Sequence, residues 1–167
     1  MLKQSSSVAN RKTGFAPAIL FAGCVAGSLD AVAAVVQYYL SEGKDATKVF
    51  QFIASGIFGK EAFTGGPGFA LAGLLFHFMI ACLFALVFFL LFPAITRVIK
   101  NKVVAGLVYG LLIWLIMNFI VVPSSNAPAL PISTVKAVAG AIIVMVCVGL
   151  PISFIAHKFY LGKDRLQ

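Results

Sequence analysis

Phe15–Leu40 reads FAPAILFAGCVAGSLDAVAAVVQYYL, an apolar run with one charged residue, Asp30, inside it. A helix needs about 20 apolar residues to cross about 30 Å of hydrocarbon, and this run is long enough. Working outward, three more stretches meet the same criterion: about 69–92, interrupted only by His77, then about 103–122, and about 134–160 with Pro151 inside it. A proline at that place predicts a kink. No alternating ten-residue pattern occurs, which excludes a β-barrel. The chain is 61% hydrophobic and 11% charged, against about 25% charged in a soluble domain. Too little polar material is present to cover a water-facing surface. The fold class is therefore all-α: an integral membrane four-helix bundle, with the lipid bilayer as its first partner.

The formal charge is +8. The bases flank apolar runs and do not cluster with aromatics on one polar face, so they read as topology signals and nucleic acid is not expected. Lys3, Arg11, Lys12, Arg97, Lys100, Lys102, Lys158, Lys163 and Arg165 fall on one side of a four-span arrangement. Lys44, Lys48, Lys60 and Lys136 fall on the other. The positive-inside rule then places both termini in the cytoplasm. Residues 1–14 form a basic cytoplasmic tail, 15–160 a single transmembrane domain and 161–167 a second cytoplasmic tail. Ala31-Val32-Ala33 fits a small-residue cleavage site, and Phe21–Cys24 (FAGC) resembles a lipoprotein box. Apolar character continues past both to Tyr39, which favours a retained span.

The link from Ser41 to Gly68 is more than a linker. Ala46, Val49, Phe50, Ile53 and Ile57 share one helical face, and Lys44, Lys48, Gln51 and Ser55 share the other. This predicts an extra amphipathic helix over about 44–59 lying in the membrane interface, with Val49, Phe50, Ile53 and Ile57 facing lipid. Asp45 and Lys48 form a favourable pair one turn apart. The helix is expected to end near Gly56 or Gly59, before TGGPG turns the chain back. The second link on this side, Pro123–Pro131, is short and proline-rich.

Asp30 is the residue to explain, because a charge at mid-membrane costs about 2.5–3.5 kcal/mol. Gly23, Gly27, Asp30, Ala34 and Gln37 line one face of the first span, and Gly23-x-x-x-Gly27 permits close helix approach. Asp30 should therefore face another helix. At 1.5 Å per residue it lies about 15 Å from the Leu40 end of its span, and His77 lies about 12 Å from the Phe69 end of the second. His77 sits on its own small-residue stripe of Ala70, Gly73, Ala81 and Ala85. Gln37 and Asn118 also match in depth. The expected cluster is Asp30, His77, Gln37 and Asn118, with Gly23, Gly27, Gly73, Gly106 and Gly110 as helix-packing residues and Tyr109 close to the last two. Such a cluster serves either as interhelical glue or as a proton- or ligand-handling site. His157, beside Lys158 and Tyr160, reads as an interfacial anchor.

Other chemistry is scarce. Cys24, Cys82 and Cys147 all lie in apolar runs and read as small buried hydrophobes. No metal-ligand spacing, phosphate loop, Gly-x-Ser-x-Gly or His-Glu-x-x-His occurs, so no catalytic residue, metal or cofactor is expected. Ser28, the remote candidate nucleophile, lies about 200° from Asp30 around the helix, at 100° per residue.

The stretches AGCVAGSLDAV (Ala22–Val32), QFIASGIFGKEAFTGG (Gln51–Gly66) and LLFHFMIACLFA (Leu74–Ala85) resemble successive motifs of a family of short bacterial inner-membrane proteins. That family has four predicted transmembrane helices and no assigned activity. The resemblance covers about Gly23 to Phe92. It implies a bacterial cytoplasmic membrane and draws attention to Asp30, Gln51, Gly56, Gly59, Gly65, Gly66 and His77. Two functions stay open. One is a small polytopic protein handling a proton or small solute at the Asp30–His77 centre, as a homo-oligomer. The other is a non-transporting assembly factor, partner subunit or lipid-interacting protein whose amphipathic helix does the work.

Overall fold

The structure, a computed structural model, describes residues 3–41, 45–128 and 133–161, with side chains from Gly14 onward. The expected roles of Lys44 and of the bases in the two tails lie outside the described side chains. Every regular element among the described residues is helical. Helix α1 spans Lys3–Ser41, α2 Thr47–Phe58, α3 Pro67–Val98, α4 Lys102–Ile116, α5 Thr134–Val144 and α6 Leu150–Leu161. A 3₁₀ turn, Gly59–Phe63, follows α2. Four helices are long and apolar enough to cross a membrane: Gly14–Ser41, Pro67–Val98, Lys102–Val121 and Thr134–Leu161. These mark a multi-pass membrane protein. Only about a quarter to a third of each apolar segment is buried within the chain, between 22% and 33%. The remainder is partly or fully exposed, which leaves surface for lipid.

Glycines set how closely the helices approach. A Cβ on Gly23 would stand 2.7 Å from Cys82 Cα, and one on Gly27 would stand 2.9 Å from the Phe78 ring. Residue numbers rise on α1 as they fall on α3, so the two helices run antiparallel. Gly106, Gly110 and Gly149 make a second seam: a Cβ on Gly149 would fall 2.1 Å from Gly106 O, and one on Gly110 2.5 Å from Met145 Cα. Here α4 meets the α5–α6 helix backbone to backbone. Gly73 points elsewhere, with its would-be Cβ 1.8 Å from Phe50 O of α2. Its partner is α2 and not another span.

Two π-helical turns interrupt the spans, at Met117–Val121 and Met145–Gly149. Both have one cause. Val122 N–H bonds back to Met117 O, and Leu150 N–H to Met145 O, each donor standing immediately before a proline, Pro123 or Pro151. A proline clashes with the carbonyl four residues earlier. Widening the preceding turn relieves that clash and keeps the backbone bonded. The kink expected at Pro151 is thus taken up as a π turn.

Pro93, inside α3, is handled differently. It removes the N–H that would serve Phe89 O, and the Tyr160 hydroxyl donates to that carbonyl at 2.8 Å. Tyr160 also stacks on Phe92 at 4.3 Å between ring centroids. Phe15, Phe88, Phe89, Phe159, Ile152 and Ala156 complete the core at this end. His157 belongs to it. The ring is 7% exposed and packs edge-on to Phe92, and its Nδ1–H donates to Ser153 O at 2.8 Å. It is a buried core residue in place of an interfacial anchor, because α6 turns it toward α3. Ser153 in turn donates to Lys102 O at 2.7 Å, tying α6 to the start of α4.

The Tyr160–Phe89 bond predicts a specific coupling. Tyr160→Phe should cost about 1 kcal/mol in the parent chain. In a Pro93→Ala background, where the helix supplies its own N–H, the same change should cost much less. Thermal unfolding of the four variants in detergent measures this difference directly.

Candidate functional site

Asp30 lies on α1, half-buried, one turn beyond the Gly27 contact with α3. His77 meets α1 at this level, and its partner is the backbone. Nε2–H donates to Gly27 O at 2.9 Å. Because the acceptor is a carbonyl, Nε2 carries the proton and Nδ1 of the neutral ring keeps a lone pair. The expected Asp30–His77 contact is thus electrostatic proximity without a hydrogen bond. Cys147 also comes within electrostatic reach of Asp30, carried there by the π turn Met145–Gly149. Three spans therefore bring a carboxyl, an imidazole and a thiol to one level.

No donor bonds to the Asp30 carboxyl among the described residues. Its oxygens are nevertheless not sealed in packing. The one sealed side-chain polar atom without a partner, among the described residues, is His157 Nε2. The Asp30 oxygens are therefore partly accessible and without a bonded donor. This differs from interhelical glue, in which a polar group is held by a donor on the facing helix.

Asn118 does not bond to this group, and no hydrogen bond joins Gln37 to it among the described residues. Asn118 Nδ2 donates to Trp114 O of its own helix at 2.9 Å. Matched depth did not bring a contact between α1 and α4, because both pack on the α5–α6 helix and α1 also on α3. The cysteines also differ from expectation. Cys24 is exposed, and Cys82 and Cys147 are half-buried. Cys147 is the site neighbour that sequence reading missed. Its signal was the spacing of Cys147 to Pro151, which places it inside the widened turn.

The segment between α1 and α3 also differs in part from its expected facing. Gln51, Ala54 and Ser55 are the buried residues of α2, whereas Ile57 is 55% exposed. Gln51 and Ser55, expected to meet water, pack against protein, while Lys48 of the same face is exposed and Ile57 of the apolar face turns outward. Burying polar residues there needs small or satisfied groups. Gln51 Nε2 donates to Gly66 O at 3.3 Å, and Ser55 Oγ donates to Phe52 O at 2.6 Å. Val49, Phe50 and Ile53 are half-buried at the edge of this contact. Helix α2 starts on Asp45, whose carboxylate takes the Thr47 hydroxyl and backbone N–H. These bonds, with the Lys48 charge beyond them, hold the Asp45 carboxyl below the usual range. Gly59 and Gly66, at φ 62° and 77°, make the turns on either side of the 3₁₀ segment.

The described residues contain no group of three or more His, Cys, Asp or Glu side chains arranged to hold a metal ion. No protein-family model, curated protein or solved structure matches the chain.

A stability cycle follows. His77→Phe, which keeps the ring but loses the bond to Gly27 O, should cost about 0.5–1.5 kcal/mol. Asp30→Asn should be neutral or stabilising, since it removes a charge that no donor holds. The two effects should add to within about 0.5 kcal/mol in the double variant. Thermal unfolding in detergent is the measurement, and strong non-additivity would identify a direct structural pair.

Proposed function

We propose that this is a small polytopic protein of the bacterial cytoplasmic membrane, with both termini cytoplasmic, that handles a proton or a small solute at Asp30. The four spanning helices then form a bundle in which His77 and Cys147 flank the carboxyl, and homo-oligomers are the expected assembled form. One observation carries this reading: Asp30, on an apolar span, is a half-buried carboxyl that no donor holds among the described residues. Ionisable groups in spans are rare and costly, and they mark ion or proton paths when they are not paired structurally. His77 supports the reading. Its Nε2–H is committed to Gly27 O, so its free Nδ1 is the ring's remaining proton acceptor.

The α2 exposure favours a second reading. Ile57 and Phe58 are 55% and 41% exposed on its outward side, a face that could dock a membrane partner in a non-transporting component. The two readings separate on one comparison. Purified protein in liposomes carrying a trapped pH dye should collapse an imposed pH gradient, and Asp30→Asn should return the flux to that of empty liposomes. Ile57→Lys should leave flux unchanged. Wild-type flux at the empty-liposome level, with Ile57→Lys abolishing recovery of a co-purifying membrane protein, would favour the second.

A further inference from the structure

The glycine seam between α1 and α3 also holds two thiols. Cys24 stands on α1 next to Gly23, and Cys82 of α3 packs against that glycine. A Cβ on Gly23 would fall 2.6 Å from Cys82 Sγ and 2.7 Å from Cys82 Cα. The missing side chain of Gly23 is therefore what admits the Cys82 thiol to the surface of α1. There it meets the Cys24 thiol in a side-chain hydrogen bond. A thiol is a weak donor and a weak acceptor, so this bond does little to hold two spans together. The covalent chemistry open to the pair is the larger consequence. A disulfide bridges only backbones that come close, and the Gly23 contact supplies that approach.

The pair is reached from the side of the helix. Cys24 is exposed, whereas Cys82 is half-buried. Leu20 and Phe21, one turn before Cys24 on the same side of α1, are 57% and 62% exposed. Cys24 thus lies on an outward apolar surface inside the span Gly14–Ser41, and a reagent that meets it there comes from the lipid phase. An oxidant that took electrons alone would leave protons behind in hydrocarbon, where charge is costly. An acceptor of electrons and protons together avoids that cost, and a lipid-soluble quinone is such an acceptor.

We propose that Cys24 and Cys82 are a redox-active dithiol that closes to a disulfide between α1 and α3, with a lipid-soluble quinone as the electron acceptor. Both S–H bonds break and one S–S bond forms. The two electrons and two protons pass to the quinone oxygens, giving a hydroquinone, and no ion stays in the span. The bridge joins α1 to α3 one turn from Gly27, whose carbonyl takes the His77 bond. This activity goes beyond the Asp30 reading and does not depend on it.

The test uses the full-length protein, reduced, reconstituted in liposomes without oxygen and given a fully ring-substituted benzoquinone with a decyl tail. Remaining thiols are then alkylated in denaturant and the peptides read by mass spectrometry. The expected product is a Cys24–Cys82 bridge within one chain, formed with one hydroquinone per bridge, while Cys147 stays alkylated. Ferricyanide, which stays in water, should form the bridge about tenfold more slowly than the quinone. Cys82→Ala, which leaves Gly23 more room, should lower hydroquinone formation about tenfold. Cys24→Ala, on the outward side, should give the same loss without touching the seam. Cys24 and Cys82 both still alkylated after quinone treatment would overturn the dithiol. A bridge from Cys24 to a second chain, or one that includes Cys147, would also overturn it. Equal rates with ferricyanide and quinone would overturn the lipid-phase acceptor.

Discussion

Backbone-to-backbone approach at a few glycines organises this protein. Inside lipid, apolar side chains gain nothing by leaving a hydrocarbon solvent for each other. Helices cohere where small residues let them come close enough for dense contact and for polar groups to reach across. Gly23 and Gly27 do this for α1 on α3, and Gly106, Gly110 and Gly149 do it for α4 on the α5–α6 helix. The His77 bond to Gly27 O depends on the first seam, since a side chain at Gly27 would collide with Phe78 before the imidazole reached the carbonyl. The placement of Cys147 near Asp30 depends on the second, which seats the π turn against α4.

Prolines act on the same scaffold in two ways. Pro93 leaves Phe89 O without its helical donor, and Tyr160 supplies one from a different span. Pro123 and Pro151 are absorbed by π turns, in which the residue before each proline bonds five residues back. In the fourth span the π turn stands between α5 and α6; both pack on α1 and α4, and α6 also reaches α3. Cys147 reaches toward Asp30, while Ser153 and His157 seal the opposite end against α3 and α4.

The helical class and the four apolar spans were legible because each is written in consecutive residues: composition, run length and the absence of period-two alternation. The small stripe carrying Asp30 was legible for the same reason. Helix order was not. Depth along a span can be counted from sequence, so Asp30 and His77 could be matched, but so could Gln37 and Asn118, which lie on helices separated by a third. Facing was also hidden for α2. An apolar face and a polar face are visible at Val49–Ile57, yet periodicity alone cannot say which meets protein when the surroundings include lipid as well as water. The small size of Ala54 and Ser55 and the Gly73 opposite them decide it, and that pairing exists only after folding. His157 illustrates the same limit, since its flanking Lys158 suggested an interface while its own side of α6 faces the aromatic core.

The account stands on Asp30 being a carboxyl that exchanges with water instead of one locked between helices. Infrared difference spectroscopy of the protein in lipid bilayers, comparing wild type with Asp30→Asn across a pH titration in H₂O and D₂O, observes that group directly. The account predicts a carboxyl band that is lost in Asp30→Asn, that appears and disappears with pH, and that shifts promptly on deuteration. A band assignable to Asp30 that neither titrates nor exchanges would contradict it, and Asp30 would then be a structural residue of the α1–α3 contact.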